Sequence, residues 1–175
     1  MFEAYVLRIF RTGGYTFELK DLQTQKITRL KIPRSPKVNH FQTITSVKVK
    51  AEKLWIPKTR NYACVDLLEP PGDLFQVTVS KTHPIKGPPF SKLIQSLIQA
   101  QGWISAPKDA RLIFVVPSHV YDAFEVQNYL TSEGNQYKNK IPADILAVKQ
   151  YVLKIDLGSA VASNSPGLQV RAKMR

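Results

Sequence analysis

Asp66 is the one acid in an otherwise apolar run, Tyr62-Ala63-Cys64-Val65-Asp66-Leu67-Leu68. A carboxylate in such surroundings is costly to desolvate unless it is paired, hydrogen-bonded or bound to a cation. Taken alone it reads as a strand-end residue bonded to backbone. It is followed by the turn Glu69-Pro70-Pro71-Gly72-Asp73 and by Leu74-Phe75-Gln76-Val77-Thr78-Val79-Ser80, which alternates strictly. Two runs joined by such a turn form an antiparallel hairpin, with Gln76, Thr78 and Ser80 on one face of its second strand. An acid and a glutamine on facing strands offer two hard oxygen donors of the kind that hold Mg²⁺. That ion stabilises charge on a phosphate and lowers the pKa of its bound water. The glutamine amide oxygen ligates weakly and without charge, and Thr78 cannot supply an ammonium.

Other chemistries find less support. Cys64 sits in the apolar run beside Val65 with nothing to activate it, and no Ser-His-Asp or Cys-His arrangement is convincing. One cysteine excludes an internal disulfide and a cysteine-rich zinc site. Gly87-Pro88-Pro89-Phe90-Ser91-Lys92 lacks the glycine and spacing of a P-loop. His40 and His119 lie far from any convergent group and read as structural. Lys31, Arg34, Lys37, Lys48, Lys50, Lys53, Lys58 and Arg60, interleaved with Trp55, precede Asp66 and could neutralise phosphates beside it. The bland reading of that stretch is a solvated strand face.

The elements that must position these residues follow from periodicity. Phe2, Val6, Ile9 and Phe10 share a helical face, and the helix stops at Gly13-Gly14. Tyr15 to Lys20 and Lys26 to Ile32 alternate as a hairpin, and residues 41–56 read as strand. Residues 62–68 and 74–80 are the central hairpin. Residues 90–103 have helical spacing, 112–116 form a buried strand stopped by Pro117, and Ser118 caps a helix over 120–130. A polar loop over 131–140 leads to a last strand over 145–155. Helix, strands, helix, strand, helix, strand makes an α/β domain with a mixed sheet flanked by helices.

The totals set the class of partner. The chain has 175 residues, enough for one domain, and 43% hydrophobic content, which argues against disorder. No apolar run approaches a membrane span, and the amphipathic start with Glu3 and Arg8 is not a signal peptide. Lys and Arg number 25 against 13 acids, a net charge of +12. A domain this basic suits a polyanion, either nucleic acid or an anionic membrane surface. The second lacks a basic amphipathic helix.

An acid at a strand end, a short turn and a strand carrying acid-x-lysine is the pattern of metal-dependent nucleases of the PD-(D/E)XK type. Asp66 with Gln76-Val77-Thr78 resembles it, departing at the second acid and at the lysine. Residues 74–80 followed by His83-Pro84-Ile85-Lys86 resemble the diagnostic block at the C-terminal end of Crinkler and trypanosomal retrotransposon-hot-spot proteins. Asn61-Tyr62 to Asp66, Leu112-Ile113-Phe114-Val115-Val116-Pro117, Phe124 to Gln127, Lys149 to Ile155 and Gly13-Gly14-Tyr15-Thr16-Phe17 are similar to that family's other blocks and in the same order.

The resemblance implies a restriction-endonuclease-like domain over 1–157 and a basic Ser/Gly-containing tail over 158–175. It implies Asp66 as principal metal ligand, Gln76 as second, the Val77 carbonyl as third and Glu3 as an extra acid. Glu3 reads equally as a solvated helix glutamate. Lys81 and His83 are the residues that could take over the duty missing at Thr78, with loop capping the alternative for His83. Gln150 either hydrogen-bonds across the site or faces solvent. Mg²⁺ is the implied cofactor of an active form, and a catalytically inactive effector module keeping the fold is the alternative. Implied partners are nucleic acid, DNA foremost, a P-loop ATPase domain fused or associated (this chain being the nuclease-like part alone) and a second copy in a homodimer. The implied location is the nucleus.

Overall fold

Val6, Ile9 and Phe10 form the buried stripe of the first helix, α1 (Phe2–Thr12). Gly13 ends it at φ 62°, a conformation a side chain would strain. The computed structural model describes residues 1–34, 37–46, 49, 53–59 and 62–157. The expected first hairpin is formed by β1 (Thr16–Asp21) and β2 (Ile27–Lys31), antiparallel, with Asp21 Oδ1 accepting the turn amides of Gln23 and Thr24.

Residues 41–56 are not one strand. They hold the end of β3 (Lys37–Phe41), a 3-10 turn (Ile44–Ser46) and most of β4 (Lys53–Pro57), and β3 and β4 pair in parallel. The turn buries Ile44, which alternation alone had placed on a strand face. The central hairpin forms but is shorter than expected. A 3-10 turn takes Tyr62–Cys64, with Cys64 at φ 64°, so β5 is Leu67–Glu69 and β6 is Asp73–Val77. Leu67 pairs with Phe75 and Glu69 with Asp73. The turn between them packs tightly: a Cβ on Gly72 would lie 2.6 Å from the Asp109 carbonyl oxygen and 2.7 Å from Ile104 Cγ2. Gly72→Ala should therefore destabilise by about 1–3 kcal/mol in a urea titration, as overpacking does.

β7 (Ile85–Lys86) leads into α2 (Gly87–Gln99), whose first turn contains Pro88 and Pro89, where proline costs no helix bond. β8 (Arg111–Pro117) is the buried strand expected from its apolar run. The helix expected over 120–130 is a single turn, α3 (Ser118–Tyr121), after which the chain extends to β9 (Tyr129–Leu130), parallel to β7. Ser118 is not a cap: its hydroxyl bonds the Ile155 carbonyl and Asp156 instead. Gln127 explains the missing helix, because its side chain bonds the backbone of Glu125, Lys81 and His83. Those bonds compete with a helical ladder. One turn of helix, α4 (Ala143–Leu146), precedes β10 (Lys149–Ile155) where a continuous strand was expected.

The sheet has eight strands in the order β2-β1-β10-β8-β6-β5-β4-β3. β6, β8 and β10 are parallel neighbours at its centre, and the edges mix directions. α1 packs on one face over Leu19, Phe75, Ile113 and Leu153, and α2 on the other over Leu74, Leu112 and Phe114. Phe10 meets Phe75 edge-on at 5.0 Å, which fixes α1 over the strand that carries Gln76. The result is an α/β fold with a large mixed sheet flanked by helices. Asp73 receives two hydrogen bonds from Arg111, at 2.7 and 2.6 Å, which lock β6 to β8 at the end away from Val77.

Candidate functional site

Asp66 lies one residue before β5, where the ladder with β6 runs out. Its amide still bonds the Phe75 carbonyl at 2.8 Å. The next donor on β6, the Val77 amide, has no backbone partner there and is met by Asp66 Oδ2 at 2.7 Å. The same oxygen accepts Gln76 Nε2 at 2.8 Å, and Gln76 Nε2 also reaches the Val77 carbonyl at 3.3 Å. Asp66, Gln76 and the Val77 carbonyl, the ligand set that the resemblance implied, therefore converge on one point. Gln76 is buried, so its amide has few other partners to choose from.

A cavity of about 460 Å³ opens beside Asp66, lined also by Glu3 and Leu7 from α1, Ile56 and Pro57 from β4, Thr59 and Val65. Burial raises the Asp66 carboxyl to about 6, the Val77 amide lowers it in part, and the like charge of Glu3 raises it again. Two acids thus face one cavity in a strongly basic protein. That is an unfavourable placement unless something positive joins them.

The donor set of carboxylate, amide oxygen and peptide carbonyl suits a hard divalent cation. With the amide turned half a revolution, Gln76 would present Oε1 where Nε2 now sits, so these residues fit Mg²⁺. Among the described residues no group of three or more His, Cys, Asp or Glu side chains is arranged to hold a metal, so a site here rests on neutral oxygens as well as acids.

Thr78 is buried just past β6, its amide on the Val115 carbonyl and its hydroxyl accepting the Ser80 amide. The motif's lysine position is a turn cap. His83 is half-buried, with its ring 6.2 Å from that of Phe114, the β8 residue paired with Gln76. Burial lowers its pKa, which leaves a neutral imidazole at neutral pH. Lys81 is exposed. Both belong to a loop pinned by Gln127, which accepts the His83 amide and donates to the Lys81 carbonyl. Gln150 is buried and neither crosses the site nor meets solvent: it trades hydrogen bonds with the Gln127 backbone at 2.8 and 3.0 Å.

Cys64 lies in the turn rather than in a strand, and burial raises its thiol pKa, away from nucleophilic use. His40 and His119 are exposed on β3 and α3.

The basic residues that cluster in sequence separate in space. Lys31 and Arg34 line a hollow with Gly14 at the β2 edge. Lys58 follows Pro57 at the cavity, and Lys53 begins β4 at its other end. β2 and β4 are six strands apart, roughly 29 Å at normal strand spacing. Lys48, Lys50 and Arg60, and the tail over 158–175, lie outside the described residues.

Over 130 residues, 71% of the chain, the sequence is 31% identical to Crinkler effector protein 16 of Phytophthora infestans. The similarity is to Crinkler effectors. Crinkler effector protein 15 of the same organism matches equally, at 31% over 130 residues. The chain covers about a fifth of each relative's length, 19% and 20%. No family model and no solved structure matches the chain. The distant Crinkler-type relationship agrees with the resemblance seen in the residue blocks. Among the described residues no helix is long and apolar enough to cross a membrane.

Proposed function

We propose that this chain is the nuclease-like module of a Crinkler-type effector, built on a restriction-endonuclease-like fold and hydrolysing nucleic acid, DNA foremost, with Mg²⁺. The observation that carries the reading is the convergence of Gln76 and Val77 on Asp66, which shares a cavity with Glu3. Asp66, Gln76 and Val77 would hold the ion, with Glu3 adding negative charge to the cavity. Mg²⁺ bound there supplies charge neutralisation at the phosphate and a water of lowered pKa. His83, half-buried and packed on Phe114, would be the general base there in place of the motif lysine. By the same resemblance the module works in the nucleus with a P-loop ATPase domain, fused or associated.

One observation favours a second reading, a non-catalytic interaction module. Gln76 Nε2 already satisfies Asp66 and Val77, as a bound cation would, and Thr78 is spent on a turn. Incubation with plasmid and single-stranded substrates in Mg²⁺ or EDTA, beside Asp66→Ala, separates the two. Metal-dependent cleavage lost in the variant supports the nuclease. No cleavage by purified wild type, with nucleic acid still bound, supports the interaction module.

A further inference from the structure

α1 turns Val6, Ile9 and Phe10 toward the sheet and leaves its other side outward. Ala4, Leu7, Arg8 and Arg11 recur at i, i+3, i+4 and i+7, so they form one stripe on that outer side. Ala4, Arg8 and Arg11 are exposed and Leu7 is half-buried. Leu7 stands in the wall of the Asp66 cavity, and with Ala4, Arg8, Arg11 and Thr12 it also lines a second hollow. The outer stripe of α1 is therefore continuous with the cavity.

Charge changes sign along this stripe. Glu3, at the cavity, is the acid of the helix, and the cations follow it. Along the axis Arg8 lies about 7.5 Å and Arg11 about 12 Å beyond Glu3. The line continues past the helix end. The Gly14 amide bonds the Ile32 carbonyl at 2.8 Å, which brings the end of β2 against the end of α1. A Cβ on Gly14 would lie 3.4 Å from Arg34 Nε, so that guanidinium crosses the chain just after the helix. Lys31 lines the same hollow as Gly14 and Arg34. Among the described residues none of these four cations has a carboxylate within ion-pair distance, the ion pair found there being Arg111 with Asp73. The apolar side of α1 is spent on the sheet, so the helix cannot lay that side in a bilayer as an interfacial helix does. What it offers outward, past Leu7, is arginine, whose planar fork suits phosphate oxygens.

We propose that the outer face of α1 is a phosphate-backbone track, in which Arg8 and Arg11, continued by Arg34 and Lys31, neutralise nucleic-acid phosphates leading away from the Asp66 cavity. The inference rests on the nucleic-acid reading above and adds the path of the strand. That path runs from the cavity along α1 to the β1–β2 hairpin, rather than through the lysines that precede Asp66 in sequence. From Glu3 to the end of α1 is about 15 Å, or about four nucleotides along one strand of a duplex. The contacts are to backbone, so they carry affinity without sequence preference.

The test is fluorescence anisotropy of a short labelled DNA duplex, and of one of its strands, with the full chain in EDTA over about 50 to 200 mM salt. EDTA removes any dependence on metal or cleavage. Arg8→Gln should lower the log-log salt slope by about one, and Arg8→Gln with Arg11→Gln by about two, alike for unrelated sequences. Arg8→Lys should keep the wild-type slope. So should Lys108→Gln, a charge removed from the 3-10 turn Pro107–Asp109 that packs on Gly72, at the end of β6 away from the cavity. Arginine and glutamine have similar helix propensity, and both sites are exposed, so matching thermal melts are expected and show that the fold is intact. A wild-type slope in the double variant overturns the track and leaves the cavity reading standing. Wild-type protein that binds neither duplex nor strand at low salt, whether or not it binds vesicles of anionic lipid, overturns both.

Discussion

Asp66→Asn should abolish Mg²⁺-dependent cleavage while making the metal-free protein more stable. The two effects come from one cause. The folded chain holds the Asp66 carboxyl near 6 against 3.8 for the free side chain, mainly because burial penalises its charge. Below about pH 4 both folded and unfolded chains carry the proton. Between about 4 and 6 only the folded chain does, so stability falls as pH rises through this window and is level above it. At pH 7.5 the ionised carboxylate is a net cost, discounted because a cavity wets one side of it. Asparagine keeps an oxygen for the Val77 amide and Gln76 Nε2 without the charge. It should raise metal-free stability by about 1–2 kcal/mol, a rise of several degrees in Tm. Cleavage should fall more than about a hundredfold, since even groups one step removed from a metal cost ten- to a hundredfold. A variant less stable than wild type at pH 7.5, or one that still cleaves, contradicts the account.

His83→Ala should lower the cleavage rate by about 10²–10⁴-fold, the usual worth of a positioned general base, without changing affinity for nucleic acid. Its imidazole reaches the Gln76 face through packing on Phe114, and burial keeps it neutral. The wild-type rate should fall as pH drops through the Asp66 value near 6, where the carboxylate gains its proton, and His83 protonation should steepen the fall. Removing the imidazole should flatten that acid limb to the single Asp66 step, and added imidazole should restore part of the rate. A structural role for His83 would move neither. Lys81→Ala, at an exposed position, should leave the rate near wild type. The opposite pattern, with Lys81 essential and His83 dispensable, would transfer the role to lysine.

Much of the fold can be read from side-chain period. α1, α2 and β8 follow from apolar spacing, because each buries one clear face or two, and the β1–β2 hairpin follows from alternation although β2 is mostly exposed. The failures share a cause. Residues 62–64 and 120–130 contain apolar residues in acceptable helix or strand phase, but side chain to backbone bonds and a positive φ at Cys64 decide their paths. Such bonds leave little trace in a hydrophobic pattern. Asp66 with Gln76 was legible because an acid in an apolar run, followed by a turn and an alternating strand, constrains register. Lys31 and Lys53 lie far apart although close in sequence, because proximity in sequence is no guide across a sheet whose neighbours are β1 with β10 and β8 with β6.

Isothermal titration of the metal-free protein with Mg²⁺ and with Mn²⁺ at pH 7.5, beside Asp66→Asn, tests the central claim most directly. Mn²⁺ prefers the same oxygen donors and gives a larger signal where Mg²⁺ binds weakly. The account predicts one site per chain, proton release on binding at pH 6 because the metal displaces the Asp66 proton, and no site in the variant. Equal binding by wild type and Asp66→Asn, or no binding by wild type with either metal, would contradict it.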